Sequence, residues 1–238
     1  MISYIREKLY YLNHKKTFDK LKAFKNIHSD KERCFILGNG PSLNKVNFSI
    51  FKNQITFGLN KIYLKDNFVP SYLVSVNKHV IEQSFNQFNK VESTLFLSSK
   101  FLNNKRIRKG NVFFLPDLYS RTMFHDRINQ SICQGHTVTF VAIQLAVYMG
   151  FKEIILTGVD HNFIQNGKPN EVQKMDSDDL NHFSKDYFKG HDWNLADLEK
   201  SEQSYKIANK YAELNGIKIL DATIDGNLQI FKKIKIND

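Results

Sequence analysis

Cysteine is scarce in this chain, whose 238 residues include only Cys34 and Cys133. The two lie far apart in the sequence, so the disulfide framework of a small secreted domain is not expected. Such sparse cysteine usage is typical of a protein that works in a reducing cytosol.

Long apolar runs and secretory features are also lacking. The longest apolar stretch, 138–149, is interrupted by Gln144 and is shorter than the roughly 20 residues that cross a bilayer. Charges at Arg6, Glu7 and Lys8 come too early for a secretory signal, and no small-residue cleavage site follows. We therefore expect a cytoplasmic protein, soluble or peripheral at the inner face of the membrane.

Acidic residues are outnumbered, with 24 Asp and Glu against 34 Lys and Arg and a net charge of +10. Much of the excess lies in residues 1–33, where apolar residues recur at roughly helical spacing: Ile2, Ile5, Leu9, Leu12, Leu21 and Phe24. This pattern predicts a basic amphipathic N-terminal helix, which would either lie on an anionic membrane or pack its apolar side on the domain. Basic and aromatic residues form no clustered ribbon, so no nucleic-acid partner is expected.

The remaining residues, 34–238, suffice for one α/β domain with a full core. Its first segment runs from four apolar residues into Gly38-Asn-Gly-Pro-Ser42, which predicts a buried strand, a glycine turn and a helix start. Pro41 suits the first turn of a helix and Ser42 can cap it, so free N–H groups at Gly38–Ser42 would bind a phosphate. A third glycine and a Lys-Ser/Thr pair are both missing, which excludes the standard dinucleotide fingerprint and the P-loop.

Asparagine follows three successive predicted strands, at Asn39, Asn60 and Asn77. The carboxyl ends of parallel strands meet at one edge of a sheet, so these side chains are expected to converge on a ligand. An amide offers two donors and an acceptor without charge, which suits phosphate and sugar hydroxyls. A single such asparagine would be an ordinary turn residue.

The most regular unit is a buried helix, a glycine at position 150 and a strand over 152–160. Thr137 or Thr139 is the expected N-cap, and the helix start at Thr137, Val138 and Thr139 is expected to face a second anionic group. The strand would deliver Asp160, His161 and Asn162 to the same edge. Polar residues over about 163–192 predict a lid, and the loop 118–133 is expected over the site.

Three segments together resemble a known group of proteins: Gly38-Asn-Gly-Pro-Ser-Leu43, Gly58-Leu-Asn60 and the 150–160 stretch. The group contains the 6-hydroxymethylpterin diphosphokinase-like (DUF115) proteins, the bacterial sialyltransferases of the Campylobacter type and the motility-associated flagellin glycosyltransferases. The resemblance, which covers roughly 34–223, implies a single Rossmann-like domain with a mostly parallel sheet flanked by helices. It also implies that Asn39, Asn60 and Asn77 hold the nucleotide of a CMP-sugar.

The same resemblance implies a catalytic histidine, because Tyr187-Phe-Lys-Gly-His191 is similar to the sialyltransferase segment that carries one. His191 is therefore expected to deprotonate the acceptor hydroxyl, with His182 and His161 as alternatives. The tyrosine that assists the leaving phosphate in those enzymes falls near Asn162, which is not a phenol. Tyr187, or an Arg or Lys of the mobile loops, is expected to take that role.

The sequence thus favours transfer of a nonulosonic (sialic-type) acid from a CMP-sugar donor to a hydroxyl of a cell-surface glycan or lipid-linked acceptor. No cofactor or metal is expected for this reaction. The alternative is pyrophosphoryl transfer from ATP to a pterin, in which Asp160 with Asp221 or Asp225 would hold Mg²⁺. The oligomeric state, including a homo-oligomer, is left open.

Overall fold

The structure is a computed structural model that describes residues 2–107, 110–117 and 122–236. Five α-helices occur in this part of the chain: α1 Ile2–Asn13, α2 Lys15–Asp19, α3 Lys78–Phe88, α4 Val138–Tyr148 and α5 Leu198–Leu214. The strands are β1 Arg33–Leu37, β2 Thr56–Leu59, β3 Tyr72–Ser75, β4 Thr94–Ser98, β5 Val112–Leu115, β6 Glu153–Thr157, β7 Val172–Lys174, β8 Asp192–Asn194, β9 Lys218–Asp221 and β10 Lys232–Lys233.

Eight strands form one sheet in the order β10-β9-β6-β1-β2-β3-β4-β5, and each neighbouring pair is parallel. The remaining strands, β7 and β8, form a separate antiparallel pair. Helices cover both faces of the sheet, so the predicted α/β Rossmann-like fold is confirmed.

The central position of β1 explains its uninterrupted apolar sequence. Cys34 and Ile36 belong to the hydrophobic core on one face of the sheet, and Phe35 and Leu37 belong to the core on the other. Successive side chains of a strand point to opposite faces, so a strand covered on both sides needs apolar residues at every position.

The first face is covered by α4, which contacts β1, β2 and β3, and by α5, which packs on α4 and β9. Nearly all residues of α4 are buried, which accounts for a sequence that is apolar on every side. The second face is covered by α3, by short 3₁₀ helices and by aromatic residues of the segment expected to be a lid.

The N-terminal segment is not one amphipathic helix. It forms α1, α2 and a 3₁₀ helix over Lys20–Phe24, and Phe18, Leu21 and Phe24 are buried. The ring of Phe24 lies 5.0 Å from that of Phe96 in the sheet. Of the two expectations for this segment, packing on the domain therefore holds for residues 18–24.

Leu9 and Leu12 in α1 stand exposed. The side chains of residues 2–7, which include Ile2 and Ile5, lie outside the description, as does Met1. None of the described helices is both long enough and apolar enough to cross a bilayer.

The second half of the segment 163–192, for which a lid is expected, is part of the core. Phe183, Tyr187 and Phe188 are buried on the second face of the sheet. The expectation that this half lies outside the core is wrong, because scattered aromatic residues in a polar sequence give no periodic signal. The loop 118–133 begins outside the described residues, at 118–121, and ends with Ile128, Ile132 and Cys133 buried.

Candidate active site at the switch point of the sheet

A cleft of about 720 Å³ lies beyond the carboxyl ends of the central strands. The strand order reverses at β1, which has β2 on one side and β6 on the other. In open α/β sheets this crevice is where ligands bind. Most of the predicted binding residues line it: Gly38, Asn39, Gly40, Asn60, Asn77, Thr137, Val138, Thr139, Asp160, His161 and Asn162.

Four of the predicted residues lie elsewhere. Pro41 and Ser42 line a smaller cavity of about 250 Å³ that adjoins the cleft and shares Asp160, Asn162 and Asn181 with it. Tyr187 and His191 line neither of these cavities, as far as the described residues show.

Three N–H groups of the glycine turn, those of Gly38, Gly40 and Ser42, donate to protein acceptors instead of standing free for a phosphate. The Gly38 and Gly40 N–H groups donate to the carbonyls of Thr157 and Gly158, at 2.8 and 2.9 Å. Ser42 donates from its N–H and its hydroxyl to the two carboxylate oxygens of Asp160, at 3.0 and 2.6 Å. The helix that follows is a 3₁₀ helix of five residues, Pro41–Lys45, and not an α-helix.

Gly40 is required here by close approach, since a Cβ at this position would lie 1.9 Å from Oδ2 of Asp160. The N–H groups of Gly38, Gly40 and Ser42 are therefore already paired with protein acceptors, because the chain after the neighbouring strand β6 brings the Asp160 carboxylate to the turn. A phosphate on this turn stays a prediction.

The three strand-end asparagines do converge on the cleft, and each is partly committed to the protein. Asn39 donates from Nδ2 to the Leu59 carbonyl at 3.0 Å, and Asn60 accepts the Ser75 hydroxyl at 3.1 Å. Asn77 is the N-cap of α3, where its side chain accepts the Val80 N–H. Oδ1 of Asn39 is buried and has no hydrogen-bond partner among the described residues.

Helix α4 begins at the cleft, with Thr137 as its N-cap, as predicted. Oγ1 of Thr137 accepts the Thr139 N–H at 3.3 Å and lies 3.1 Å from the hydroxyl of Tyr205 on α5. The positive end of an 11-residue helix therefore faces the cleft, beside a buried phenol whose pKa is raised by burial.

His182 is the histidine best placed for proton transfer. It lines the cleft, and its Nδ1 lies 2.8 Å from Oδ2 of Asp179, whose side chain is fully buried. A carboxylate only accepts hydrogen bonds, so Nδ1 carries a proton, and in the neutral imidazole Nε2 is the acceptor. The Phe183 N–H donates to the Asn39 carbonyl at 2.9 Å, which holds this segment against the glycine turn.

His191, the expected base, lies at an exposed turn outside the cleft lining. Its N–H donates to the Phe188 carbonyl and its carbonyl accepts the Met175 N–H. The structure therefore does not bring His191 to the predicted nucleotide site. The Gly-His dipeptide that suggested the role is part of the connection between the buried aromatic segment and β8.

Tyr187, expected to assist the leaving group, is 1 % exposed and lies beneath His182. Its hydroxyl accepts the Lys61 N–H at 3.2 Å, and burial raises the pKa of the phenol well above its usual value. Its oxygen does not reach the cleft, so the structure does not support a direct role in leaving-group departure.

Two further histidines line the cleft. Nε2 of His161 lies 3.2 Å from a carboxylate oxygen of Glu202 on α5, and Nδ1 of His136 lies 3.8 Å from the buried Asp197. Both histidines have positive φ, as do Asn60 and Asn170 in the same lining. Strained backbone of this kind persists where the surrounding structure fixes it, which is common at functional sites.

The carboxylates proposed for Mg²⁺ do not form an ion site. Asp160 is bound by Ser42, buried Asp221 accepts Lys233 at 2.7 Å, and exposed Asp225 pairs with Lys45 at 2.7 Å. Within the described ranges, no group of three or more His, Cys, Asp or Glu side chains is arranged to hold a metal ion. The side chains present therefore do not fit the resident Mg²⁺ site of the alternative reaction.

Several residues that contact the histidines and Tyr187 at the site could not be identified from the sequence, notably Asp179, Lys61 and Glu202. An acidic residue three positions before a histidine, as in Asp179-Leu-Asn-His182, is a pattern that could have drawn attention to the pair. Within a polar stretch with four acidic residues at 176–186, however, it is not distinctive.

Comparison with known proteins gives one match. The family model described as 6-hydroxymethylpterin diphosphokinase MptE-like matches residues 7–166, which is more than half of the chain. No curated protein and no solved structure matches the chain. The matched range contains the strand-end asparagines, the start of α4 and Asp160–Asn162, but ends before His182. The chain therefore belongs to the 6-hydroxymethylpterin diphosphokinase MptE-like family, whose description indicates a transferase-type enzyme.

Proposed function

We propose that this protein transfers a nonulosonic (sialic-type) acid from a CMP-sugar to a hydroxyl of a glycan or lipid-linked acceptor, with His182 as the general base. The observation that carries the proposal is the Asp179–His182 pair on the wall of an amide-rich cleft at the switch point of the sheet. Transfer to a hydroxyl needs a general base, and an imidazole oriented by a buried carboxylate is suited to that role.

The donor would lie along the asparagines that follow the first three strands. Nδ2 of Asn39 donates to the Leu59 carbonyl, and its buried Oδ1 is an acceptor without a partner among the described residues. An amino group of a base such as cytosine, or a sugar hydroxyl, would satisfy it. Asn60, Asn77 and Asn162 add further neutral amides to the same wall.

In the proposed step, the acceptor hydroxyl oxygen attacks the anomeric carbon and its proton moves to Nε2 of His182. The bond between the anomeric carbon and the CMP phosphate oxygen breaks, and CMP leaves with the electron pair. The start of α4 at Thr137–Thr139 and the exposed Lys78 and Lys100 of the cleft lining would stabilise the departing phosphate. No step requires a metal ligand from the protein.

The acceptor would be met at an anionic surface. The chain carries a net charge of +10. Leu9 and Leu12 of α1 are exposed, as are Lys8 of α1 and Lys16 of α2. A basic segment with exposed apolar residues binds anionic lipid by charge and by partial burial of those residues. We propose that this segment brings the enzyme to the membrane where lipid-linked acceptors accumulate.

A second candidate, pyrophosphoryl transfer from ATP to a pterin, is favoured by the description of the matching family model. It would draw on the same cleft and on His182, with a hydroxymethyl group as the acceptor. The two candidates differ in the nucleotide that the cleft selects and in their need for Mg²⁺.

Thermal denaturation with CMP, CDP, ATP or GTP, each with and without Mg²⁺, separates them. The first proposal predicts that CMP and CDP raise the melting temperature without Mg²⁺. At a ligand concentration of about 100 times the dissociation constant, binding raises the free energy of unfolding by about 2.7 kcal/mol. Stabilisation by ATP alone, and only with Mg²⁺, would overturn the first proposal in favour of the second. The matched variant Asn39→Leu should lose the nucleotide-dependent part of the shift in either case.

A further inference from the structure

We propose that Tyr187 is a positioning residue, anchored by Lys61, that fixes the plane of the His182 ring. The inference rests on the proposed function, in which His182 is the base. It gives Tyr187 a role through another residue, in place of the direct role that its sequence context suggested.

The rings of His182 and Tyr187 are in face-to-face contact. Their centroids lie 3.9 Å apart and their planes are inclined by 5°. Stacking on a fully buried ring fixes the plane of the imidazole, and the hydrogen bond from Nδ1 to Asp179 fixes its rotation within that plane. Together the two contacts determine the direction of Nε2, the atom that would accept the proton.

Lys61 holds Tyr187 at both ends of the residue. Its Nζ donates to the Tyr187 carbonyl at 2.6 Å, and its N–H donates to the Tyr187 hydroxyl at 3.2 Å. Nζ also donates to Oε1 of Gln83 on α3 at 2.8 Å and lies 4.7 Å from the centre of the Phe188 ring. Lys61 is 4 % exposed, so its side chain is enclosed by protein groups and makes these contacts out of reach of bulk solvent.

The anchor and the donor site share one turn of the chain. Lys61 directly follows Asn60, which comes just after β2 and lines the cleft, whereas Lys61 itself is buried in the protein. The β2 turn therefore presents a ligand contact on one side and the support of the base on the other. A small displacement of a catalytic group can cost about 10²-fold in rate, so this support has a measurable consequence.

The test compares Tyr187→Phe, which keeps the ring, with Tyr187→Leu, which removes it. Tyr63→Leu is the matched control, since Tyr63 is a packed tyrosine of the same core that lies outside the cleft lining. Two readouts are used: release of CMP from CMP-N-acetylneuraminate, and the NMR shifts of the His182 ring protons, which a stacked aromatic ring moves upfield. CMP binding is measured separately.

We expect Tyr187→Leu to lower kcat for CMP release by about tenfold or more with little change in CMP affinity, and to abolish the upfield shift of the His182 ring protons. Tyr187→Phe should retain both, and Tyr63→Leu should change neither. If Tyr187→Leu does not fold, Lys61→Met is used, which frees the Tyr187 carbonyl but keeps the ring, and the same two readouts should move in the same direction.

Unchanged His182 shifts and turnover in Tyr187→Leu, or in Lys61→Met where that variant is used, would overturn the inference. Failure of the proposed function gives a different set of results from failure of this inference. In that case His182→Asn leaves CMP release unchanged, or the wild type releases no CMP, while the NMR comparison still decides whether Tyr187 orients the ring.

Discussion

Lys61→Met should change the way in which the stability of this protein depends on pH. Lys61 is buried against a carbonyl and an amide oxygen, both of them neutral. Burial lowers the pKa of its ammonium group from the ordinary 10.5 to about 8, because desolvation disfavours the charged form. Methionine has a similar length and no charge, so it removes the titration with little change in volume.

The direction in which the free energy of unfolding changes with pH depends on whether the folded or the unfolded chain binds the proton. Between pH 8 and 10.5, taken from the pKa values of the folded and the unfolded chain, the unfolded chain keeps a proton that the folded chain has lost. The free energy of unfolding of the wild type therefore gains a term that rises with pH across this window. A fall in pKa from 10.5 to about 8 corresponds to about 3 kcal/mol at its full extent.

The measurement is urea denaturation at constant ionic strength, from about pH 7 to about pH 10, on wild type and Lys61→Met. The free energy of unfolding of the wild type, minus that of the variant, should rise by about 2 to 3 kcal/mol over this range. Lys52→Met, at an exposed lysine, controls for the loss of one positive charge. A difference that stays constant with pH would refute the reasoning, since it would mean that Lys61 is hydrated in the folded protein.

Three other substitutions test separate parts of the structure. Gly40→Ala should lower the free energy of unfolding by about 3 to 6 kcal/mol, because the new Cβ breaks both hydrogen bonds from Ser42 to Asp160. Gly110→Ala is the control in urea denaturation and should be close to neutral, since no described atom lies within 4 Å of its new Cβ. Phe24→Ala should cost about 3 to 5 kcal/mol in the same assay, whereas a change near zero would mean that the N-terminal segment is not part of the core. Asp179→Asn should lower CMP release by about 10²-fold and leave CMP binding unchanged in calorimetry; full activity would exclude a role in orienting the base.

Much of the fold could be predicted because the sheet is covered on both faces. Strands such as β1 and β6 then read as continuous apolar runs, and α4 reads as a helix without a polar side. In a parallel sheet the carboxyl ends of the strands lie at the same edge. The asparagines at 39, 60 and 77 could therefore be placed together at that edge from the sequence alone.

The contacts of the charged side chains around the cleft could not be predicted in the same way. That Asp160 closes the glycine turn depends on the pairing of β6 with β1, which no local pattern reveals. The Asp179–His182 pair depends on Phe183 and Tyr187 packing on the second face of the sheet, and a polar segment without periodicity gives no sign of that packing. A short local resemblance favours His191, but such a resemblance carries no information about the direction in which a side chain points.

The most direct test of the account compares His182→Asn with His191→Asn in the release of CMP from CMP-N-acetylneuraminate, with CMP binding measured on both variants. We expect His182→Asn to lower the turnover by about 10²- to 10⁴-fold while still binding CMP, and His191→Asn to stay within about twofold of the wild type. The reverse order, or full activity in both variants, would contradict the assignment of His182 as the base of this cleft.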